Sequence, residues 1–364
     1  MEEGKIMMET PVVYAVGNTY QILFYLTHDA YASVKIGETV FDDAVCGNMR
    51  SLPGMRRICV PQALLNSAGA YTLRLERIEA RLCYRTKTIA VEETTYPFVP
   101  VKQNGEARAY MIGDAHGNID GAIKAAKQSG AFDFLIVNGD IGESADEAQM
   151  LQSHELASRL TGGSKPVVYA RGNHENRGAA AEILPQYIPL RDGCTYYTFR
   201  LGGIWGIVLD CGEDKTDDHP EYGGAARFYD FRLRQTAYLR QVIAAANTEF
   251  AAADVKHRIC VVHTQFPRTQ EPLFDIEREL YQIWCDLLDE MGVELILSAH
   301  MHCYQYLLPG DSDLRLQTHC PLLIGTWNGA GVIGGSKVVF EKENICFSCK
   351  TSDGITRLEG KLYD

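Results

Sequence analysis

AYMIGDAHGNIDGAIKAAKQ, residues 109–128, is the stretch that decides the fold. Its first part, AYMIGD (109–114), is a short apolar run closed by glycine and aspartate, and IDGAIKAAKQ (119–128) reads as a helix. The same alternation continues downstream. DFLIVNGD (133–140) precedes the helix-like DEAQMLQSHELASRL (146–160), and KPVVYARGNHE (165–175) opens with a third strand. Strand and helix in alternation predict βαβ units around a parallel sheet. TYYTFRLGGIWGIVLD (195–210) then reads as two strands joined at Gly202–Gly203. A helix around 231–247, the strand RICVVH (258–263), a helix around 275–290 and the strand ELILSAH (294–300) follow, with short strands from about 303 to 363.

Upstream, residues 10–98 have a different texture. VVYAVG, TYQILFYLT, YASVKIG, RRICV, YTLRLERIEARLCYR and KTIAVEETT are short, rich in Val, Ile, Thr and Tyr, and separated by turn residues. They predict a small all-β sandwich of fibronectin or immunoglobulin type over residues 1–98, a linker at 99–107 and an α/β domain over 108–364. A chain of 364 residues is long enough for two such units. Its 46% hydrophobic and 23% charged residues exclude a disordered, collagen-like or disulfide-stapled chain.

Basic residues number 35 and acidic ones 47, a net charge of −12, which makes general nucleic-acid binding or adhesion to an anionic membrane unfavourable. No apolar stretch has the length of a membrane span, and the acidic MEEGKIMMETP (1–11) lacks the core of a signal peptide. Eleven cysteines at irregular spacing fit reduced thiols in the cytoplasm. The close pair Cys346/Cys349 lies in a strand-like segment and has no second pair with which to form a zinc knuckle.

Five motifs fall at the predicted strand ends: Gly113-Asp114-Ala115-His116-Gly117, Gly139-Asp140, Gly172-Asn173-His174-Glu175, His263, and His300-Met301-His302. They contain five of the ten histidines. In open α/β sheets the carboxyl ends of the strands form the ligand crevice, so distant loops can share one edge. Imidazole and carboxylate without thiolate suit manganese, iron or zinc. Seven candidate ligands exceed what one ion needs and suffice for two ions about 3.5–4 Å apart. Asp114/His116 and His300/His302 are spaced by two, which on an extended chain puts both side chains on one face. Each motif alone is common; all five, in order and each at a strand end, are not.

This ordered set resembles the calcineurin-like metallophosphoesterase superfamily, whose fold is a four-layer sandwich of two β-sheets flanked by helices. The resemblance spans about 107–364. It implies two divalent or mixed-valence ions: Asp114, His116, His302 and Asp140 hold one, and Asn173, His263 and His300 hold the other, with Asp140 bridging. It also implies that His174 is the general acid, protonating the leaving group while hydroxide attacks phosphorus from the opposite side. Glu175 is expected to orient the His174 ring. The β-rich segment ahead of the catalytic part is similar to the arrangement in purple acid phosphatases, but their tyrosine ligand in G-D-x-x-Y is replaced by Glu143, so no ferric-tyrosinate colour is expected.

Three weaker features complete the reading. Arg177 could contact a phosphate oxygen or be an ordinary surface arginine, and Tyr304 either lines the pocket or packs the sheet. The polar stretch GEDKTDDHPEYGGAARFYDFR (212–232) is either a specificity lid or a mobile loop, with His219 not a ligand. The resulting expectation is a dinuclear metal-dependent phosphatase acting on a phosphorylated small molecule or a phosphoprotein. Phosphodiesterase, nucleotidase and non-catalytic scaffold readings are the alternatives.

Overall fold

The computed structural model describes residues 6–362. The N-terminal part contains β1 (Val12–Val16), β2 (Thr19–Leu26), β3 (Ala30–Ile36), β4 (Thr39–Asp42), β5 (Gly54–Pro61), helix α1 (Gln62–Ala68), β6 (Ala70–Leu82) and β7 (Arg85–Pro97). After a segment with neither helix nor strand come β8 (Ala107–Ile112), α2 (Ile119–Ser129), β9 (Phe134–Asn138), α3 (Glu147–Thr161) and β10 (Pro166–Ala170). Then follow β11 (Tyr197–Leu201), β12 (Ile204–Leu209), α4 (Phe228–Ala244), β13 (His257–Val262), α5 (Arg278–Glu290) and β14 (Leu295–Ser298). The last strands are β15 (Tyr304–Leu307), β16 (Leu322–Gly325), β17 (Trp327–Gly329), β18 (Val332–Phe340), β19 (Ile345–Thr351) and β20 (Thr356–Lys361).

These strands form three sheets. The first has ten strands and runs β20-β19-β18-β8-β9-β10-β1-β2-β5, with β17 beside β18. The second runs β11-β12-β13-β14-β16-β15, and the third β4-β3-β6-β7. As the alternation predicts, β8, β9 and β10 are mutually parallel, and so are β12, β13, β14 and β16. Their runs of Val, Ile and Leu are buried on both faces, as strands covered on two sides require.

The packing is the four-layer sandwich. One apolar core, including Met111, Phe134, Ile136, Val208, Val261 and Leu297, fills the space between the first and second sheets. The outer face of the first sheet is covered by α2 and α3 through Ala122, Ile123, Leu156 and Ala157. The outer face of the second is covered by α4 and α5 through Leu239, Leu280, Trp284 and Leu288. Local signals start and stop the helices: Asn118 caps α2 by accepting from Gly121 N, Asp146 caps α3 by accepting from Gln149 N, and Gly162 at φ 56° ends α3.

The N-terminal segment does make a two-layer β arrangement, with Ile22 and Phe24 packed in one core with Val34, Leu73 and Leu75. Hydrogen bonding nevertheless crosses the expected linker at 99–107. β1 pairs in parallel with β10, through Val13 opposite Pro166 and Tyr14 opposite Val167, so β1, β2 and β5 continue the catalytic sheet. The physical reason is visible in β1, whose VVYAV is buried at every position and needs cover on both faces. Among the described residues no helix is long and apolar enough to cross a membrane.

Candidate metal centre

All five motifs converge at the carboxyl ends of the parallel strands. Asp114 and His116 follow β8, Asp140 follows β9, Asn173 and His174 follow β10, His263 follows β13, and His300 and His302 follow β14. The same-face argument for an extended chain does not explain the convergence. Asp114, His116, Asp140, His300 and His302 all have positive φ, between 43° and 72°, and make up five of the nine non-glycine residues in that region among the described residues. The loops turn sharply at the ligand positions themselves, a conformation disfavoured for side chains with a Cβ and held here by the packed strands. Gly139, at φ 72°, and Gly172 let two of these loops touch, since a Cβ on Gly172 would overlap the Asp140 carboxylate.

Three overlapping clusters result: Asp114/His116/His302, His116/Asp140/His174 and Asp140/His263/His300. His116 Nε2 is 3.0 Å from His302 Nε2, and Asp114 Oδ1 is 3.6 Å from His302 Nε2. His263 Nε2 lies 3.1 Å from Asp140 Oδ2, while its Nδ1–H donates to the Asn138 carbonyl at 2.7 Å. That second bond fixes the ring with Nε2 inward.

The donor set fits cations. Asp114 is fully buried; its Oδ2 accepts from His300 N at 2.9 Å and from the Thr326 hydroxyl, but its Oδ1 has no hydrogen-bond partner. The Asn173 amide oxygen lies 2.9 Å from His300 Nδ1, 3.3 Å from His263 Nε2 and 3.1 Å from Asp140 Oδ2. The Asn173 side-chain amide therefore faces a carboxylate and two imidazoles: its oxygen would be a ligand to a cation placed among them, and without one the amide gains by turning its nitrogen inward. Protonation tells the same story. Burial opposes charge on His263, yet Asp140 beside it pushes its pKa up to about 10, so without a metal a proton serves as the counter-cation. Burial would also raise Asp140, but His263, His174 and His300 hold it well below the usual carboxylate range. Burial and His263 together push His300 down to about 4.

His174 belongs to the middle cluster, its Nδ1–H donating to the Glu143 carbonyl at 2.8 Å and its Nε2 4.0 Å from Asp140 Oδ2. Glu175 does not orient this ring, contrary to the sequence expectation. Its buried carboxylate accepts from Asp140 N and Gly172 N at 2.9 Å and from Ile141 N at 3.2 Å, clamping two ligand loops together. Burial and Asp140 raise its pKa to about 7. Arg177 is gripped by Glu213 through Nε at 2.9 Å and Nη2 at 2.8 Å, and its Nη1 is 3.4 Å from His174 Nε2. Tyr304 packs: its hydroxyl donates to the Lys350 carbonyl at 3.1 Å and its ring lies against Trp327. Residues 212–232 form an anchored wall in which Glu213, Lys215 and Ala226 are buried.

Sequence reasoning missed several neighbours. Asp214 Oδ2 is 3.8 Å from His300 Nε2, Thr326 holds Asp114, and Asn328 Nδ2 donates to the Asp114 carbonyl at 2.9 Å. Asp214 sits just past the end of β12, the one signal that could have marked it.

Several solved structures are similar to this chain. A purple acid phosphatase from yellow lupin (Lupinus luteus) seeds shares the fold with a TM-score of 0.62 at 12% identity, covering 97% of this chain and 73% of that one. A dimetal phosphatase from Danio rerio gives a TM-score of 0.49 at 11% identity, covering 72% and 99%. GAP50, the anchor in the inner membrane complex of Plasmodium, gives 0.47 at 14%, covering 71% and 89%. No curated protein matches the chain. The model of the calcineurin-like phosphoesterases matches residues 107–304. The chain belongs to the calcineurin-like phosphoesterase family and is a metal-dependent phosphoesterase.

Proposed function

We propose that the protein is a phosphatase that hydrolyses phosphate monoesters at a two-ion centre. The observation that carries this reading is that two outer donor clusters are linked through Asp140 and His116, the pair that His174 joins with its Nε2 4.0 Å from Asp140 Oδ2. Asp114, His116, His302 and Asp140 would hold one ion, and Asp140, Asn173, His263 and His300 the other, with manganese, iron or zinc suited to these donors. When bound, the ions supply an activated water and neutralise the phosphoryl oxygens. In the reaction the bond from phosphorus to the alcohol oxygen breaks, a bond to the water oxygen forms, and the alcohol leaves with a proton.

The protein's own groups do the rest. His174 carries that proton at Nε2, since its Nδ1–H is committed to the Glu143 carbonyl. Arg177, locked by Glu213, offers its Nη1 edge on the same side and is the candidate contact for a phosphate oxygen. Glu175 keeps Asp140 and Gly172 in register. The complete donor set speaks against a scaffold that has lost its chemistry, and eleven free thiols fit a reducing compartment such as the cytoplasm.

The test compares p-nitrophenyl phosphate with bis(p-nitrophenyl) phosphate on protein loaded with manganese, iron or zinc, with and without chelator. Chelator-sensitive hydrolysis that favours the monoester supports the reading. Preference for the diester would replace it with a phosphodiesterase, and no turnover with any metal would overturn it.

A further inference from the structure

Next to Arg177 lies a cavity of about 480 Å³ whose lining includes Asn176, Arg177, Glu213, Glu221, Tyr222 and Phe228. Arg177 links it to the His174 side of the site: it lines the cavity, and its Nη1 lies 3.4 Å from His174 Nε2. The attacking water and the departing alcohol lie on opposite sides of phosphorus, so the alcohol leaves towards the acid and hence towards this cavity. Its volume falls in the range of small-molecule sites, far more than a methyl or glyceryl group needs.

The walls are fixed. Tyr222 OH donates to Glu213 at 3.2 Å and Asp214 at 3.3 Å, and Asp217 accepts from Phe228 N at 2.8 Å and Tyr229 N at 3.2 Å, tying the wall to the start of α4. Tyr222 and Phe228 meet edge to face, with centroids 6.4 Å apart, and supply an aromatic corner against which a flat ring can lie. The charges do not cancel. Arg177 is bonded to Glu213 and lies 3.7 Å from both Asp214 and Glu221, Lys215 lies 2.8 Å from Asp214 and 3.1 Å from Glu221, and His219 Nδ1 is 3.8 Å from Glu221, so two fixed cations and one imidazole face three carboxylates. Glu221, with its side chain 39% exposed, is the carboxylate most open to a ligand.

We infer that this cavity receives the alcohol part of the substrate and selects a neutral or cationic alcohol with a flat apolar body over one bearing further acidic groups. The inference rests on the phosphomonoesterase reading. A second phosphate or a carboxylate on the alcohol would be placed against Glu221 and Glu213, while an ammonium group there would complete the charge pairing.

The test uses three aryl phosphates of similar size on metal-loaded protein: O-phosphotyramine, p-tolyl phosphate and p-carboxyphenyl phosphate. The carboxyl ester has the best leaving group, so intrinsic reactivity works against the expected order. We expect kcat/KM for phosphotyramine to exceed that for the carboxyl ester by about tenfold. The ratio should fall towards unity in Glu221→Gln and invert in Glu221→Lys. The matching benzylphosphonates, which cannot be hydrolysed, should show the same order of affinity by calorimetry. Hydrolysis with equal rates, or with the carboxyl ester preferred and no response to either Glu221 variant, overturns the inference and leaves the phosphatase reading standing. Failure to hydrolyse all three removes that reading and the inference with it.

Discussion

The middle and one edge of the ten-stranded sheet are made of similar residues and share one ladder of hydrogen bonds, yet they differ in chemistry. In the middle β8, β9 and β10 run parallel, and each is left by a loop with a ligand-type residue: Asp114, Asp140, Asn173. At the edge, β1, β2 and β5 are antiparallel neighbours, and β1 returns through the tight turn at Gly17–Asn18. A parallel strand must be followed by a long crossover, so its loop is free to turn inward over the edge. A hairpin has no such freedom. The difference lies in connectivity, not composition.

Substitutions can break this contrast. The largest effect is expected for Asp140→Asn, which removes the carboxylate common to two clusters: activity should fall at least about a hundredfold, with loss of bound metal by elemental analysis. His174→Ala should keep its metal and lose about 10²–10⁴-fold in kcat, most for alkyl esters with poor leaving groups. Equal rates on an alkyl phosphate would remove the acid assignment.

At the inert edge, Phe24→Ala should cost about 3–5 kcal/mol in denaturant unfolding while leaving metal stoichiometry intact, because Phe24 is fully buried in the shared core and far in sequence from every ligand loop. Loss of metal in that variant would show that the edge and the middle of the sheet are coupled.

The smallest effect is expected for a histidine outside the site. Burial pushes His154 down to about 4, so its neutral form is the folded one. Its contribution is complete above its unfolded value near 6.5 and is lost as pH falls towards 4, at most about 3 kcal/mol. In thermal melts, His154→Leu should flatten the acid limb over that window.

The sequence showed the parallel units and the ligand types because both are local: an apolar run ending in Gly-Asp and a short imidazole motif can be read without the rest of the chain. The joining of β1 to β10 was harder to see, since it pairs residues 13 and 166, although VVYAV lacks the alternation of a half-exposed strand and so hinted at two-sided burial. The role of Glu175 was misread because adjacency to His174 suggested contact, whereas the short helical turn at His174–Asn176 sends the carboxylate inward to three backbone amides. Asp214 lies in the 212–232 stretch, Thr326 between β16 and β17, and Asn328 within β17, and none of the three is part of a short motif that marks it.

The most direct measurement is anomalous diffraction from crystals of the metal-loaded protein. The account expects two peaks about 3.5–4 Å apart, one among Asp114, His116, His302 and Asp140, the other among Asp140, Asn173, His263 and His300. A single peak, or metal bound away from these side chains, would contradict it.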